Sequence, residues 1–218
     1  MNSQSEEDYL KAVYHLQKEN NAVSTNAIAN YLDMKASSVS DMLKKLSEKN
    51  YVHYQKYKGT SLTKKGKLIA LKIIRKHRLW ETFLVDKLGF GWAQVHLIAE
   101  QLEHINSEEL IDKLDSFLKY PKYDPHGDAI PKKNGKIESL NQKLLVDLFD
   151  KERGIITGVK KGTPSLLNYL DKNKIKLGDK IQVLEIIEFD RSFHVKINNN
   201  KIMLSEKICQ NLLVEIYD

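Results

Sequence analysis

A chain of 218 residues with 41% apolar and 29% charged residues can bury a substantial core and is not a disordered polymer. A single cysteine, Cys209, excludes an intramolecular disulfide framework and fits a reducing compartment, so the cytoplasm is the expected location. No apolar run approaches the ~20 residues of a membrane span, and the start of the chain shows no secretory pattern.

The net charge of +6 is uneven. Residues 1–75 carry 13 Lys and Arg against 7 Asp and Glu, whereas residues 76–218 carry 22 of each. Between Lys35 and Lys67 nine lysines face two acids, Asp41 and Glu48, which points to a polyanion partner for the N-terminal part.

In chain order, residues 5–20 read as a helix with Ser5 as N-cap and Tyr9, Ala12, Val13 and Leu16 as its apolar stripe. A short helix opens at Ser24 or Thr25. A third runs from Ser37 or Ser38 to about Lys49, with one of those serines as its cap. The segment "YVHYQKYKGTSLT" alternates and turns at Lys58-Gly59, as a small hairpin does. Helix, helix, turn, helix and hairpin make a winged helix-turn-helix, which binds double-stranded DNA. On it, Lys35, Ser37, Ser38 and Asp41 face the groove, with Asp41 accepting from a base or orienting a lysine. Lys44, Lys45, Lys56 and Lys58 suit phosphates.

A long helix is expected over 63–88, another over 92–106 and a shorter one over 107–118. Residues 120–136 hold three of the four prolines and read as a linker or folded-back loop. A short helix near 138–150 precedes a tail of alternating, β-branched segments, which suggests a small β-barrel.

The middle helices carry an unusual pattern. At 100° per residue, His96, Glu100, Glu103 and His104 share an arc of roughly 100°, opposite Val95, Ala99 and Leu102. His77 and Glu81 lie one turn apart within the apolar stripe of the long helix, where an unpaired polar group costs about 2–7 kcal/mol. Imidazoles and carboxylates without a thiolate suit Mn(II), Fe(II), Co(II) or Zn(II). Single His–Glu pairs are commonly structural hydrogen bonds, but six such residues on consecutive helices predict metal binding. Asp8 either reaches the same cluster or compensates the dipole of the first helix. His126 in "DPHGDAIP" is either a metal ligand or a turn histidine, and the turn reading is favoured. With no HExxH and no spare general base, an enzyme is not expected.

The segments "SEEDYLKAVYHL", "IANYLDMKASSVSDMLKKL", "KYKGTSLTKKGK", "RKHRLWETFL" and "VHLIAEQLEH" resemble those of the diphtheria toxin repressor and manganese transport regulator family. The C-terminal "SLLNYLDKNKIKLGDKIQVLEII" is similar to the SH3-like, FeoA-type domain of its longer members. The resemblance implies a mostly α protein with a β C-terminal part. It divides into a winged helix at 1–63, a helical metal-binding and dimerisation domain at 64–120, a linker at 121–147 and an SH3-like barrel at 148–218.

The resemblance also implies a metal-activated repressor, probing metal supply as a homodimer on a palindromic operator. Asp8, Glu100, Glu103 and His104 match the regulatory site, and His77, Glu81 and His96 the ancillary one. The iron-sensing type has sulfur ligands where this chain has Asp8 and Glu100, so Mn(II) is favoured and Fe(II) comes next. Iron-sensing members also donate ligands from the SH3-like domain near Gly162 to Ser165, where this chain offers none that is obvious. Lys11 stands where the shorter manganese regulators have glutamate and reads as a solvated lysine. The rival reading is a winged-helix regulator of an organic ligand, its His/Glu network purely structural.

Overall fold

The computed structural model describes residues 3–17, 22–91, 94–138, 142–160 and 162–217, which divide into two compact units. The first comprises 1–77, 103–106 and 131–136, and the second 78–102, 107–130 and 137–218.

In the first unit, α1 (Gln4–Leu16), α2 (Thr25–Leu32) and α3 (Ala36–Glu48) are followed by an antiparallel hairpin of β1 (Val52–Gln55) and β2 (Gly59–Leu62). This is the expected winged helix. Tyr9, Leu10 and Val13 of α1 pack with Ile28, Val39, Leu43, Leu46 and Val52 in one core, joined by Ala70 of α4 (Lys64–Leu88).

Two helix starts differ from expectation. Ser3, not Ser5, caps α1 through a box in which its hydroxyl accepts from the Glu6 amide and Glu6 accepts from the Ser3 amide. A box at Ser5 would need Asp8 to reach back, and its side chain is one methylene short of the glutamate that this motif uses. Neither Ser37 nor Ser38 caps α3; Lys35 occupies that position without a side-chain bond, and both serines are exposed in the first turn.

In the second unit, the C-terminal half of α4 packs Leu79 against Ile111 and Leu114 of α6 (Glu108–Phe117) and Ile130 of the following loop. The preceding helix, α5, spans only Val95–Leu102. Glu103 and His104 therefore lie in a turn, not on the continuous helical face that the periodicity suggests. In place of a helix over 138–150, the described residues form β3 (Gln142–Leu144) and a single 3-10 turn, Leu145–Asp147, with Leu145 fully buried.

The remaining strands are β4 (Arg153–Val159), β5 (Lys180–Ile186), β6 (Phe193–Ile197), β7 (Asn200–Leu204) and β8 (Leu212–Ile216), with α7 (Pro164–Lys172) between β4 and β5 and α8 (Glu206–Cys209) before β8. Their order, β3-β8-β4-β5-β6-β7, leaves β3 and β7 as edges. The described strands thus make the expected β C-terminal part as an antiparallel sheet whose barrel is not closed. Ile156, Leu170, Val183, Phe193 and Val214 fill its core, and Val85 of α4 packs against it.

One glycine pair fixes the loop before this sheet. Gly127 has φ +90°, and a Cβ on Gly158 would lie 2.1 Å from the Gly127 Cα. The two backbones touch, and the Val159 amide donates to the His126 carbonyl at 2.7 Å. Gly158→Ala should destabilise the protein by about 3 kcal/mol, the upper range for overpacking, read as a lower urea midpoint. An unchanged midpoint would show that this contact is not closely packed.

Candidate metal centre

The first helix brings Glu7, Asp8 and Lys11 to one side, because residues three and four apart stack on a helix. His104 sits between two of them. Its Nδ1 is 2.7 Å from Glu7 Oε2 and its Nε2 is 3.0 Å from Asp8 Oδ1, with Glu103 Oε1 3.7 Å from the same Nε2. One ligand atom from each of Asp8, Glu103 and His104 can be chosen so that all lie within 4.8 Å of one another. Ligands about 2.0–2.2 Å from a common ion stand roughly 3–4 Å apart, so the donor set and spacing fit a divalent metal.

Glu103 is fully buried. Burial pushes its carboxyl up, but the hydrogen bond from His77 and the charge of Lys11 outweigh this and hold it below the ordinary 4.5. The Lys11 ammonium donates to both carboxylate oxygens, at 2.7 and 2.9 Å, and His77 Nδ1 is 2.5 Å from Oε2. Lys11 is itself buried, 7% exposed, which overturns its reading as a solvated lysine. A lysine seldom reaches the interior without a partner, and Glu103 is such a partner, accepting through both oxygens.

The second unit holds a separate group. Glu81, 2% exposed, has His96 Nδ1 3.3 Å from one oxygen and His126 Nδ1 3.5 Å from the other. Glu100 lies beside His96, Oε1 to Nε2 3.6 Å. Asp124 completes a second set with Glu81 and His126, again with ligand atoms within 4.8 Å. Its Oδ1 accepts from the amides of His126 and Asp128, and Oδ2 faces Arg78 at 3.4 Å. Burial, and then the Glu81 carboxylate, push Asp124 up to about 7 despite Arg78.

Sequence reasoning passed over Glu7 and Asp124, read Lys11 as solvated, and favoured a turn role for His126 over a ligand role. Glu7 carried a signal in its adjacency to Asp8. Asp124 carried only the Asp-Pro turn pattern, which hides a buried carboxylate among ordinary loop acids.

On the reading head, Lys35, Ser37, Ser38, Asp41, Lys44, Lys45, Lys56 and Lys58 are all exposed. Asp41 accepts from Lys44 at 3.1 Å, the lysine-orienting alternative. No helix among the described residues is long and apolar enough to cross a membrane.

Three family models match successive stretches of the chain. The iron dependent repressor N-terminal DNA binding domain matches residues 1–60, the iron dependent repressor metal binding and dimerisation domain residues 63–132, and the FeoA domain residues 143–216. An uncharacterised helix-turn-helix-type transcriptional regulator of Methanocaldococcus jannaschii is 42% identical over 117 residues, 53% of this chain and 94% of that protein. The chain belongs to the diphtheria toxin repressor family. Members of this family are metal-dependent transcriptional repressors that join a DNA-binding to a metal-binding domain. The iron-dependent repressor of Mycobacterium tuberculosis is 34% identical over 125 residues, 57% of this chain but 54% of the repressor. A solved manganese-dependent transcriptional repressor in complex with manganese is 33% identical, with a TM-score of 0.74 over 97% of this chain and 99% of that one.

Proposed function

We propose that this family member is a Mn(II)-activated repressor of metal-uptake genes, binding a palindromic operator as a cytoplasmic homodimer. The division at 1–63, 64–120, 121–147 and 148–218 is its functional one. The observation that carries the reading is Asp8 Oδ1 3.0 Å from His104 Nε2, which joins the first helix of the DNA-binding domain to the turn after α5.

A bound divalent ion supplies two positive charges at Asp8, Glu103 and His104. Glu7 accepts from His104 Nδ1, which fixes the ring so that Nε2 faces Asp8 and would be the nitrogen left to hold the ion. Asp8 then commits α1, and with it α3, to one position. Fixed recognition helices match half-sites one turn of DNA apart. Glu81, Asp124 and His126 form a second, ancillary site, with His77 and His96 orienting carboxylates. Lys44, Lys45, Lys56 and Lys58 hold phosphates. Replacing Lys44 and Lys45 by Ala should weaken binding to all sequences alike and lower the slope of log affinity against log salt by about one per lysine.

The test is operator affinity titrated separately with Mn(II), Fe(II), Co(II) and Zn(II). Mn(II), followed by Fe(II), is expected to give the largest rise in operator affinity at saturation, although Co(II) and Zn(II) fill imidazole–carboxylate sites at lower free concentration. The same titration on Glu100→Ala reports whether that carboxylate, paired here with His96, contributes a ligand. A regulator of an organic ligand is favoured only by the pairing of these histidines with carboxylates. It would leave operator binding indifferent to every ion.

A further inference from the structure

We infer that Lys11 is a built-in competitor for the metal, its ammonium holding Glu103 until a divalent cation takes its place. Lys11 thereby sets the free-metal concentration at which the protein switches. The inference rests on the reading of Asp8, Glu103 and His104 as ligands.

The geometry is that of an occupied cation position. The Lys11 Nζ bonds both oxygens of Glu103, and one of them, Oε1, is the atom that faces His104 Nε2 across 3.7 Å. An ion held by Asp8 and His104 and completed by Oε1 would share that oxygen with a buried ammonium. Like charges at such range repel strongly where water cannot screen them. Binding therefore either expels Lys11 from Glu103 or proceeds against its charge, and in both cases the lysine weakens it.

The same pair gives the metal-free protein a stable alternative. Three carboxylates, Glu7, Asp8 and Glu103, meet around His104, and unrelieved repulsion among them would loosen the site. With Lys11 and His77 on Glu103, the buried carboxylate is neutralised before any ion arrives. The switch is then an exchange of one cation for another. Exchange makes the threshold adjustable by a residue that is not itself a ligand.

The experiment is calorimetric titration of Mn(II) into the full chain as wild type, Lys11→Met, Lys11→Gln, Lys11→Arg and His104→Ala. The binding event abolished by His104→Ala identifies the site. At that site Lys11→Met and Lys11→Gln should bind at least about tenfold more tightly than wild type, whereas Lys11→Arg, which keeps the charge, should not. In EDTA, Lys11→Met should melt several degrees below wild type, and saturating Mn(II) should raise its melting temperature by more than it raises that of wild type. A Lys11→Met chain that folds only when Mn(II) is added gives the same support, since the ion then does the work of the ammonium. Unchanged or weaker Mn(II) binding in both neutral variants would overturn the inference while leaving the site intact. Unchanged Mn(II) binding in His104→Ala would overturn the site assignment and the inference together.

Discussion

Glu103→Ala is expected to damage the protein twice. In EDTA, it should lower unfolding free energy by about 3–5 kcal/mol, because it removes the buried carboxylate to which the Lys11 ammonium donates at 2.7 and 2.9 Å. With Mn(II) present, its operator affinity should no longer rise. Asp8→Asn separates the two effects. Asp8 is a third exposed, and its loss should cost under about 1 kcal/mol in EDTA while abolishing the response to Mn(II) equally. Urea unfolding in EDTA and operator binding in Mn(II) read the two quantities. Equal destabilisation by both variants would contradict the structural role given to Glu103. The pH dependence follows from the same pairing. Since Glu103 ionises below its ordinary 4.5, its stabilisation is complete above that value and lost as pH falls through its folded-state value. Wild type should therefore lose more stability in acid than Glu103→Gln does.

Arg78→Met is the second large effect. Arg78 lies 3.4 Å from Asp124 and 3.5 Å from Asp128, and also donates to the Ala129 carbonyl, so it holds the loop that carries His126. Without it a fully buried carboxylate stands beside Glu81. At pH 8 the cost should be about 3–5 kcal/mol. At pH 5 it should be smaller, because Asp124, raised to about 7 even in the presence of Arg78, then carries a proton. A raised value means that Asp124 stabilises the fold fully below its ordinary 3.8, and that this contribution disappears as pH rises through about 7. Melting temperatures of wild type and Arg78→Met at the two pH values test this. An equal loss at both would mean that Asp124 is not the group whose charge Arg78 compensates.

The winged helix and α4 were legible because their signals are local. Apolar residues recur at helical spacing, Ser24 caps α2, and "YKGT" turns a hairpin. The donor types were also legible, since His77 and Glu81 stand in an apolar stripe and are both buried. What failed was non-local. The end of α5 at Leu102 follows no breaker residue; Glu103 is instead taken by Lys11, 92 positions away, and by His77. The burial of Lys11 depends on that same pairing and cannot appear in a helical wheel. Residues 142–144 form a strand because β8 pairs with them, Gln142 opposite Glu215 and Leu144 opposite Leu213. Asp124 is buried by its fold and not by its neighbours in sequence.

The central claim is that one divalent ion, shared by Asp8 and His104, fixes the DNA-binding domain for its operator. The most direct measurement is fluorescence anisotropy of labelled operator DNA at constant ionic strength, first with Mn(II) and then with excess EDTA, for wild type and Asp8→Asn. The account predicts that wild type binds with at least about a hundredfold higher affinity in Mn(II), that EDTA reverses this, and that Asp8→Asn binds equally weakly in both. Wild-type affinity that is the same in Mn(II) and EDTA would contradict it.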